Sequence, residues 1–395
     1  MRAIFLLLCF LTGILATDYI ITTNLLDVGL QNSLKSLASV ESVVCGKRKC
    51  IINVNESFMP AVEQLQAQNI DFDIEAEQTI DSMSSSWGPL RIDEVRLEDV
   101  DSSFDPIGTG LGTHIYIVDA GILTTHNEFK DPSEQIGQRA DLAYEVGVST
   151  GPICGSHGTA VASIAAGKTV GIARRANIHS VKVSTKSGTS ESDCSILLSA
   201  LLEGLMWILD NGEPKSVINL SLSGSASSSL DSMIADLRND GHVIVAAAGN
   251  AGENNGACDA SPARSVACIT VAGSTIQDTR WTGSNYGGCI QYFAPGLSLR
   301  TASAIGNSAY LSSFTGTSAS APHVAGTAAV VRQVLEDEGG SNTANAVEEA
   351  MRELSVLGAI TNSAGTVNRL IHVGDGISAG STTRFVTGIL LWIFL

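Results

Sequence analysis

The chain has 395 residues, of which 44% are hydrophobic and 16% are charged, and its formal net charge is −17. This length accommodates a core domain of about 280 residues together with smaller flanking segments. The acidity argues against charge-driven binding to nucleic acids or to anionic surfaces.

The first 16 residues have the pattern of a secretory signal. Met1-Arg2-Ala3 supply a basic start, residues Ile4 to Leu11 form an apolar run, and Ala16 is a small residue near the end of the segment. The run is shorter than the roughly 20 residues that a membrane-spanning helix needs. We therefore assign residues 1–16 to a signal peptide and expect a secreted protein.

Residues 17–83 have a βαββαβ pattern of their own, typical of a small ferredoxin-like α+β domain. Asn55-Glu56-Ser57 in this segment is a glycosylation acceptor, whereas Asn219-Leu220-Ser221 falls in a predicted buried strand and is expected to stay unmodified. The predicted strands are Tyr19–Thr22, Val40–Val44, Cys50–Val54 and Phe72–Ile74, and the predicted helices are Gln31–Ala38 and Pro60–Ala67.

Apolar strands alternate with helices between residues 84 and 376. This alternation predicts an α/β fold with a mostly parallel sheet that is covered by helices on both faces. Such folds place their sites at the carboxyl ends of the strands. The predicted strands are Ile115–Asp119, Asn177–Val183, Ser216–Leu220, Val243–Ala248 and Cys268–Gly273, and the predicted helices are Gly158–Lys168, Ser192–Leu209, Ser229–Asn239, Ser318–Glu336 and Thr343–Leu354.

Three reactive side chains lie at the ends of these elements. Asp119 ends an apolar strand, His157 opens a helix of small residues, and Ser318 stands where a loop turns into a helix. A serine becomes a nucleophile when a base takes its proton and a third group orients that base. The first N–H groups of a helix lack intrahelical partners, so an oxyanion beside Ser318 would find donors there.

The chain order Asp119, His157, Ser318 is that of the subtilisin arrangement. With the motifs around it, the chain resembles the subtilisin-like serine peptidases, and among them the proteinase K-like branch, over about residues 87–372. The motifs are Ile117-Val118-Asp119-Ala120-Gly121, His157-Gly158-Thr159, Ala247-Ala248-Gly249-Asn250 and Gly316-Thr317-Ser318.

The resemblance implies an endopeptidase that works through an acyl-enzyme. Ser318 would be the nucleophile, His157 the general base and then acid, and Asp119 the residue that orients the imidazole. The Asn250 amide and the Ser318 backbone N–H would form the oxyanion hole. The alternative is a catalytically weak or dead surface or binding protein on the same scaffold.

The family binds polypeptide substrates as extended strands, with pockets that select side chains. Two candidate edges follow predicted strands, and small residues line the expected first pocket. We expect a broad preference for aliphatic or aromatic residues, and a monomeric enzyme. The substrate-binding candidates are Ser221, Leu222, Ser223 and Gly224 on one edge, Ser187 and Gly188 on the other, and Ala247, Ala248 and Gly249 in the pocket.

Residues 17–83 resemble the inhibitory propeptide of the family, which would make the precursor a zymogen. The enzyme itself would cut it near Ile80 to Ser86. Competing interpretations are a permanent ferredoxin-like domain and a released segment that inhibits peptidases in trans. Lys47-Arg48-Lys49 is either a processing site for another protease or a solvated hairpin tip.

Eight cysteines are consistent with an oxidising compartment. By resemblance, Cys258 pairs with Cys289, and Cys154 pairs with Cys194 although the usual partner position is shifted. Cys45 and Cys50 flank a tight hairpin and are expected to pair, which leaves Cys268 as a buried free thiol.

Three positions depart from the family. Ala120 replaces a small hydroxyl residue after the acid, and Ala319 replaces a bulky residue after the nucleophile. Gln291 stands where relatives often carry a calcium-binding aspartate, so calcium is left open elsewhere, and no cofactor is expected in the chemistry. His114 and His323 are interpreted as structural residues, and no spacing of ligands predicts zinc.

The C-terminal residues 377–395 end in the apolar run Phe385–Leu395, which is too short to span a bilayer. Small residues at Gly374-Asp375-Gly376 or Ser378-Ala379-Gly380 and a polar spacer precede it. This layout fits a signal for a glycosylphosphatidylinositol anchor at the cell surface. The alternative is a tail that folds onto the domain or is trimmed.

Overall fold

The computed structural model describes residues 86–133, 137–147, 153–185 and 194–374, together with parts of residues 18–76. It divides into two compact units, Met1–Ser82 and Met83–Leu395. Among the described residues, no helix is both long and apolar enough to cross a bilayer.

The first unit is an antiparallel sheet with the strand order β2-β3-β1-β4. Further helical positions are found at Glu63, Leu65 and Ala67, and Leu34, Ile52 and Leu65 are fully buried. The element order therefore follows the predicted βαββαβ pattern. The elements are β1 (Asp18–Asn24), α1 (Val28–Lys35), β2 (Val40–Cys45), β3 (Lys49–Asn55) and β4 (Phe72–Ala76).

The second unit is built on a nine-stranded sheet in the order β16-β17-β13-β12-β10-β8-β5-β7-β6. All neighbouring strands in it are parallel except the β16–β17 pair. Its nine strands are β5 (His114–Asp119), β6 (Ala140–Glu145), β7 (Asn177–Lys182), β8 (Val217–Leu220), β10 (Val243–Ala247), β12 (Ile269–Ser274), β13 (Tyr292–Pro295), β16 (Val356–Leu357) and β17 (Arg369–Leu370). Two separate two-stranded sheets pair β9 (Gly224–Ser225) with β11 (Ala260–Ser261) and β14 (Leu299–Ala302) with β15 (Tyr310–Phe314).

Helices cover both faces of this sheet, as the sequence predicted. The helices are α2 (Trp87–Ile92), α3 (His157–Ala166), α4 (Leu198–Asn211), α5 (Ser228–Asn239), α6 (Thr317–Asp337) and α7 (Ala344–Leu354), with short 3₁₀ turns at Leu97–Asp99 and Asn127–Phe129.

Strand β5 shows how the two layers arise. Its residues Ile115 and Ile117 face the apolar cluster that includes α3, α6 and α7, whereas Tyr116 and Val118 face the cluster that includes α4 and α5. Successive side chains of a strand point to opposite faces, so a continuous apolar strand is buried on both sides. The α/β class with a mostly parallel sheet is confirmed.

Several element boundaries were wrong. The helix predicted at Ser192–Leu209 begins only at Leu198, because Ile196 forms a bridge with Ser184 and Leu197 is extended. The strand β6 was not predicted either. It is an edge strand whose Asp141 and Leu142 are exposed, so its sequence lacks a clear apolar pattern. The hairpin β14–β15 was missed as well.

Candidate active site

Asp119 and His157 are joined at the carboxyl end of β5. The Nδ1 atom of His157 lies 2.9 Å from Oδ2 and 3.0 Å from Oδ1 of Asp119. The Asp119 side chain is 2% exposed and that of His157 is 28% exposed. Because a carboxylate only accepts, the imidazole proton belongs on Nδ1, and Nε2 is the basic nitrogen.

Gly158 allows α3 to begin this close to β5. A Cβ atom at Gly158 would lie 2.4 Å from the Gly121 carbonyl oxygen and 3.1 Å from Asp119 Oδ1. Any larger residue would push the helix start, and His157 with it, away from the carboxylate. The His157 ring also packs against the Phe314 ring: the two ring centroids lie 5.6 Å apart in a T-shaped arrangement.

Ser318 occupies the first turn of α6, where the sequence predicted it. Its Oγ donates to the Ser221 carbonyl oxygen at 3.2 Å. Pro322 is inside α6. It therefore lies beyond the first turn, where a missing N–H deprives a helical carbonyl of its donor.

Asn250 is held in one orientation by Thr317. Its Oδ1 accepts from the Thr317 backbone N–H and from Thr317 Oγ1, both at 2.8 Å. The Gly249 N–H in turn donates to Thr317 Oγ1 at 3.0 Å. With Oδ1 occupied by two donors, Nδ2 is directed away from Thr317 and is available to donate.

Two donors border the space above Gly316. A Cβ atom at Gly316 would lie 3.2 Å from Asn250 Nδ2 and 3.6 Å from the Ser318 backbone nitrogen. Gly316 has φ 147°, in the region that favours glycine. The absent side chain therefore leaves a small space beside Ser318 in which an oxyanion could meet both donors.

The predicted substrate-binding residues fall into three groups. Ser221 is 3% exposed, and Leu222 and Ser223 follow it at the end of β8. Gly224 lies in β9, which pairs with β11, so that Gly224 is opposite Ser261. Ser187 and Gly188 lie outside the described residues.

Ala247 and Ala248 are buried and lead into Gly249, which has φ 93°. Asn285 supports this segment: its Nδ2 donates to the Ala248 carbonyl at 3.0 Å, and its Oδ1 accepts from the N–H of Ala251 at 3.1 Å.

The sequence analysis did not predict the roles of Asn285 and Thr317. The only available signal was the Thr317 hydroxyl next to Ser318, because the Asn285 contacts span distant parts of the chain.

The Cys154–Cys194 and Cys258–Cys289 disulfides are both present, with S–S distances of 2.11 Å and 2.22 Å. Cys268 is buried and free. Burial raises the pKa of its thiol strongly, so it is an inert core residue. Cys45 and Cys50 are opposite each other in the β2–β3 register. Their side chains lie outside the described part, so that pair stays a prediction.

Gln291 and its surroundings do not suit a calcium ion. The Gln291 Oε1 accepts from the Thr270 N–H at 2.6 Å, and its Nε2 donates to the Cys268 carbonyl at 3.1 Å. The cavity beside it is lined by Arg264 and Arg369 and by no carboxylate. Across the described residues, no group of three or more His, Cys, Asp and Glu side chains is placed to hold a metal.

His323 and His114, which the sequence predicted to be structural residues, lie in different parts of the second unit. His323 is fully buried, and its Nδ1 donates to the Ala319 carbonyl at 2.8 Å. Burial lowers its pKa to about 4, so it stays neutral. His114 lies at the first position of β5, at the opposite end from Asp119.

The chain thus combines an Asp–His pair at the end of a parallel strand with a serine in the first turn of a helix, on an α/β fold of the subtilisin type. The Subtilase family model matches residues 110–376. The chain belongs to the subtilase family.

The chain is similar to several named proteases. It is 37% identical over 278 residues to "Extracellular serine proteinase" of Thermus sp., covering 69% of this chain and 64% of that protein. It is 32% identical over 313 residues to "Alkaline serine exoprotease A" of Vibrio alginolyticus, covering 79% of this chain and 54% of that protein. The matches thus span less than two thirds of these relatives.

A solved structure shows the same fold. The crystal structure of a cold adapted subtilisin-like serine proteinase is 30% identical to the chain, with a TM-score of 0.65. The match covers 73% of this chain and 98% of that one.

Proposed function

We propose that this protein is a secreted serine endopeptidase that hydrolyses peptide bonds through an acyl-enzyme. The observation that carries the proposal is the buried Asp119 carboxylate on His157, together with Ser318 and two donors around Gly316. Membership of the subtilase family supports it.

The reaction begins when Ser318 Oγ attacks the peptide carbonyl carbon and passes its proton to His157 Nε2. Asp119 stabilises the imidazolium and keeps its orientation. The developing oxyanion accepts hydrogen bonds from Asn250 Nδ2 and the Ser318 N–H. His157 then gives the proton to the leaving amine, and water hydrolyses the acyl-enzyme by the same steps in reverse.

Ala120 is compatible with this activity. The Asp119 Oδ1 accepts from the Ala120 backbone N–H at 2.7 Å, a contact that does not depend on the side chain. The loss of a hydroxyl at this position therefore leaves the acid with a donor. This supports an active enzyme rather than a dead scaffold.

The substrates in this proposal are extended polypeptides that lie along Ser221 to Ser223. Ala247, Ala248 and Gly249 provide small walls for the first pocket, which favours aliphatic or aromatic side chains. The enzyme acts as a monomer, and no cofactor takes part in the chemistry. Any structural calcium would bind away from Gln291, since that amide is already engaged.

Maturation in this proposal is self-cleavage of a propeptide comprising residues 17–83. The boundary between the two compact units falls between Ser82 and Met83, within the expected cleavage segment. The signal-like residues 1–16 support export, and the name of the Thermus relative refers to an extracellular enzyme. The tail at 377–395 would direct a lipid anchor at the cell surface.

The test is to express the full precursor and its Ser318→Ala variant in a protease-free system. The wild type should be cut near Ile80 to Ser86, and a fluorophosphonate should label Ser318. The variant should fold, stay uncut and stay unlabelled. Turnover by Ser318→Ala would overturn the triad, and a wild type that folds without labelling or turnover would overturn the enzyme assignment.

A further inference from the structure

The carbonyl of Ser318 needs a donor from outside its own helix. In α6, the residue one turn later is Pro322, which has no N–H to give. The Ser221 hydroxyl supplies the missing bond, with Oγ lying 2.9 Å from the Ser318 carbonyl oxygen. Ser221 is 3% exposed, so water has little access to replace this donor.

The direction of the Ser221 hydroxyl is set by Asn219. The Asn219 Nδ2 donates to Ser221 Oγ at 3.0 Å, and Asn219 is fully buried in β8. Because this amide donates to the hydroxyl oxygen, the hydroxyl hydrogen is directed to the Ser318 carbonyl. The two side chains thus form a short chain of hydrogen bonds that ends on the backbone of Ser318.

A second contact runs in the opposite direction. The Ser318 Oγ donates to the Ser221 carbonyl oxygen at 3.2 Å. Ser221 therefore contacts Ser318 through both its side chain and its backbone, which restrains the rotation of the Ser318 peptide and the starting position of the attacking oxygen. A substrate-binding residue would need only its backbone for this edge.

We infer that Asn219 and Ser221 are positioning residues for the nucleophile, with Ser221 replacing the N–H that Pro322 cannot give. This inference rests on the proposed peptidase function. It reassigns the Ser221 side chain from the substrate to the backbone of Ser318, while its backbone remains available to the substrate edge.

The first experiment compares Ser221→Ala with Ser216→Ala in the full chain. Ser216 is also buried and bonds His242 Nδ1 at 2.8 Å, but it precedes β8 at the far end of the strand. Ser221→Ala should lower kcat and the rate of fluorophosphonate labelling about tenfold, with KM changed less than about twofold. Ser216→Ala should keep the wild-type kcat.

The second experiment adds Pro322→Ala to the Ser221→Ala variant. Alanine at 322 restores a backbone N–H that can bond the Ser318 carbonyl within the helix. We expect the double variant to regain at least half of the lost kcat, whereas Pro322→Ala alone should bring no gain. Ser221→Thr, which keeps the hydroxyl, serves as the conservative variant and should retain most of the activity.

The outcomes separate this inference from the proposed function. A wild-type kcat in Ser221→Ala, a rise in KM alone, or no recovery in the double variant would each overturn the positioning role, while Ser318 labelling in the wild type would still support a peptidase. If Ser221→Ala does not fold, as judged by thermal unfolding, the comparison of Ser221→Thr with Ser221→Cys decides. The inference then requires the cysteine variant, whose thiol is a weak donor, to have the lower kcat.

Discussion

Two His–Asp pairs of nearly the same length lie near opposite ends of strand β5: Asp119 of the first ends β5, whereas His179 and Asp141 of the second lie on the neighbouring strands β7 and β6, beside His114 at the start of β5. His157 Nδ1 lies 2.9 Å from Asp119, and His179 Nδ1 lies 3.0 Å from Asp141. The surroundings differ: the Asp119 side chain is 2% exposed, whereas that of Asp141 is 61% exposed. Bond length alone therefore does not distinguish the pair that we propose as catalytic from a surface pair.

His179 also has a second partner. His179 Nε2 lies 2.8 Å from His114 Nδ1, so both nitrogens of His179 are engaged. Water screens the exposed Asp141 charge, whereas the buried Asp119 can stabilise a charged imidazole. Burial of the acid therefore distinguishes the pair at the carboxyl end of β5, which we propose as the catalytic one, from the exposed pair.

The largest effect should come from breaking the buried pair. Asp119→Asn should lower kcat about 10⁴-fold, because an amide can donate to Nδ1 and stabilise the wrong tautomer. Asp141→Asn is the matched control and should leave kcat within about twofold. Steady-state hydrolysis of a peptide substrate measures both. A comparable loss in the two variants would contradict the comparison.

The oxyanion donor should have the next largest effect. Asn250→Ala should lower kcat about 10²- to 10³-fold with little change in KM, because the donor acts on charge that develops in the transition state. Thr317→Val removes the hydroxyl that orients Asn250 and should cost about tenfold. Thr317→Ser keeps that hydroxyl and should retain most activity. An increase confined to KM would point instead to substrate binding.

Histidine protonation should give a smaller effect, on stability. Burial, and then the neighbouring His179, lowers the pKa of His114, and burial lowers that of His323 to about 4. In the unfolded chain a histidine binds a proton below about pH 6.5, so stability should be complete above that pH and fall as pH drops below it. Urea unfolding of the inactive Ser318→Ala protein at pH 7.5 and 5.5 measures the loss.

A histidine variant sharpens this test. His114→Gln in the same inactive background should show a smaller loss of stability between the two pH values. Thr113→Ser, in the neighbouring position, should keep the full loss. If the glutamine variant were as pH-sensitive as its parent, His114 would make no contribution to the acid sensitivity.

The smallest effect should follow from the exposed pair. Asp141→Asn should change the free energy of unfolding at pH 7.5 by no more than about 1 kcal/mol, because exposed ion pairs contribute little. Urea unfolding of the Ser318→Ala background with and without the change gives the difference. A loss several times larger would show that the surface pair matters more than its exposure suggests.

The sequence by itself determined the α/β class and the placement of Asp119, His157 and Ser318 at element ends. These follow from local features: apolar strands that end on a polar residue, and helices whose first turn has free N–H groups. The boundary at Leu198 and the edge strand β6 were not predicted, because a bridge to a distant segment and an exposed strand leave little periodic signal.

Tertiary structure alone decided how the side chains are oriented. The Thr317 contacts that turn Asn250, the Ser221 hydroxyl on the Ser318 carbonyl and the Gln291 amide on β12 all join residues far apart in the chain. It also decided which His–Asp pair is buried. Local periodicity shows which face of an element is apolar, but a hydrogen bond between distant segments depends on packing that brings them together.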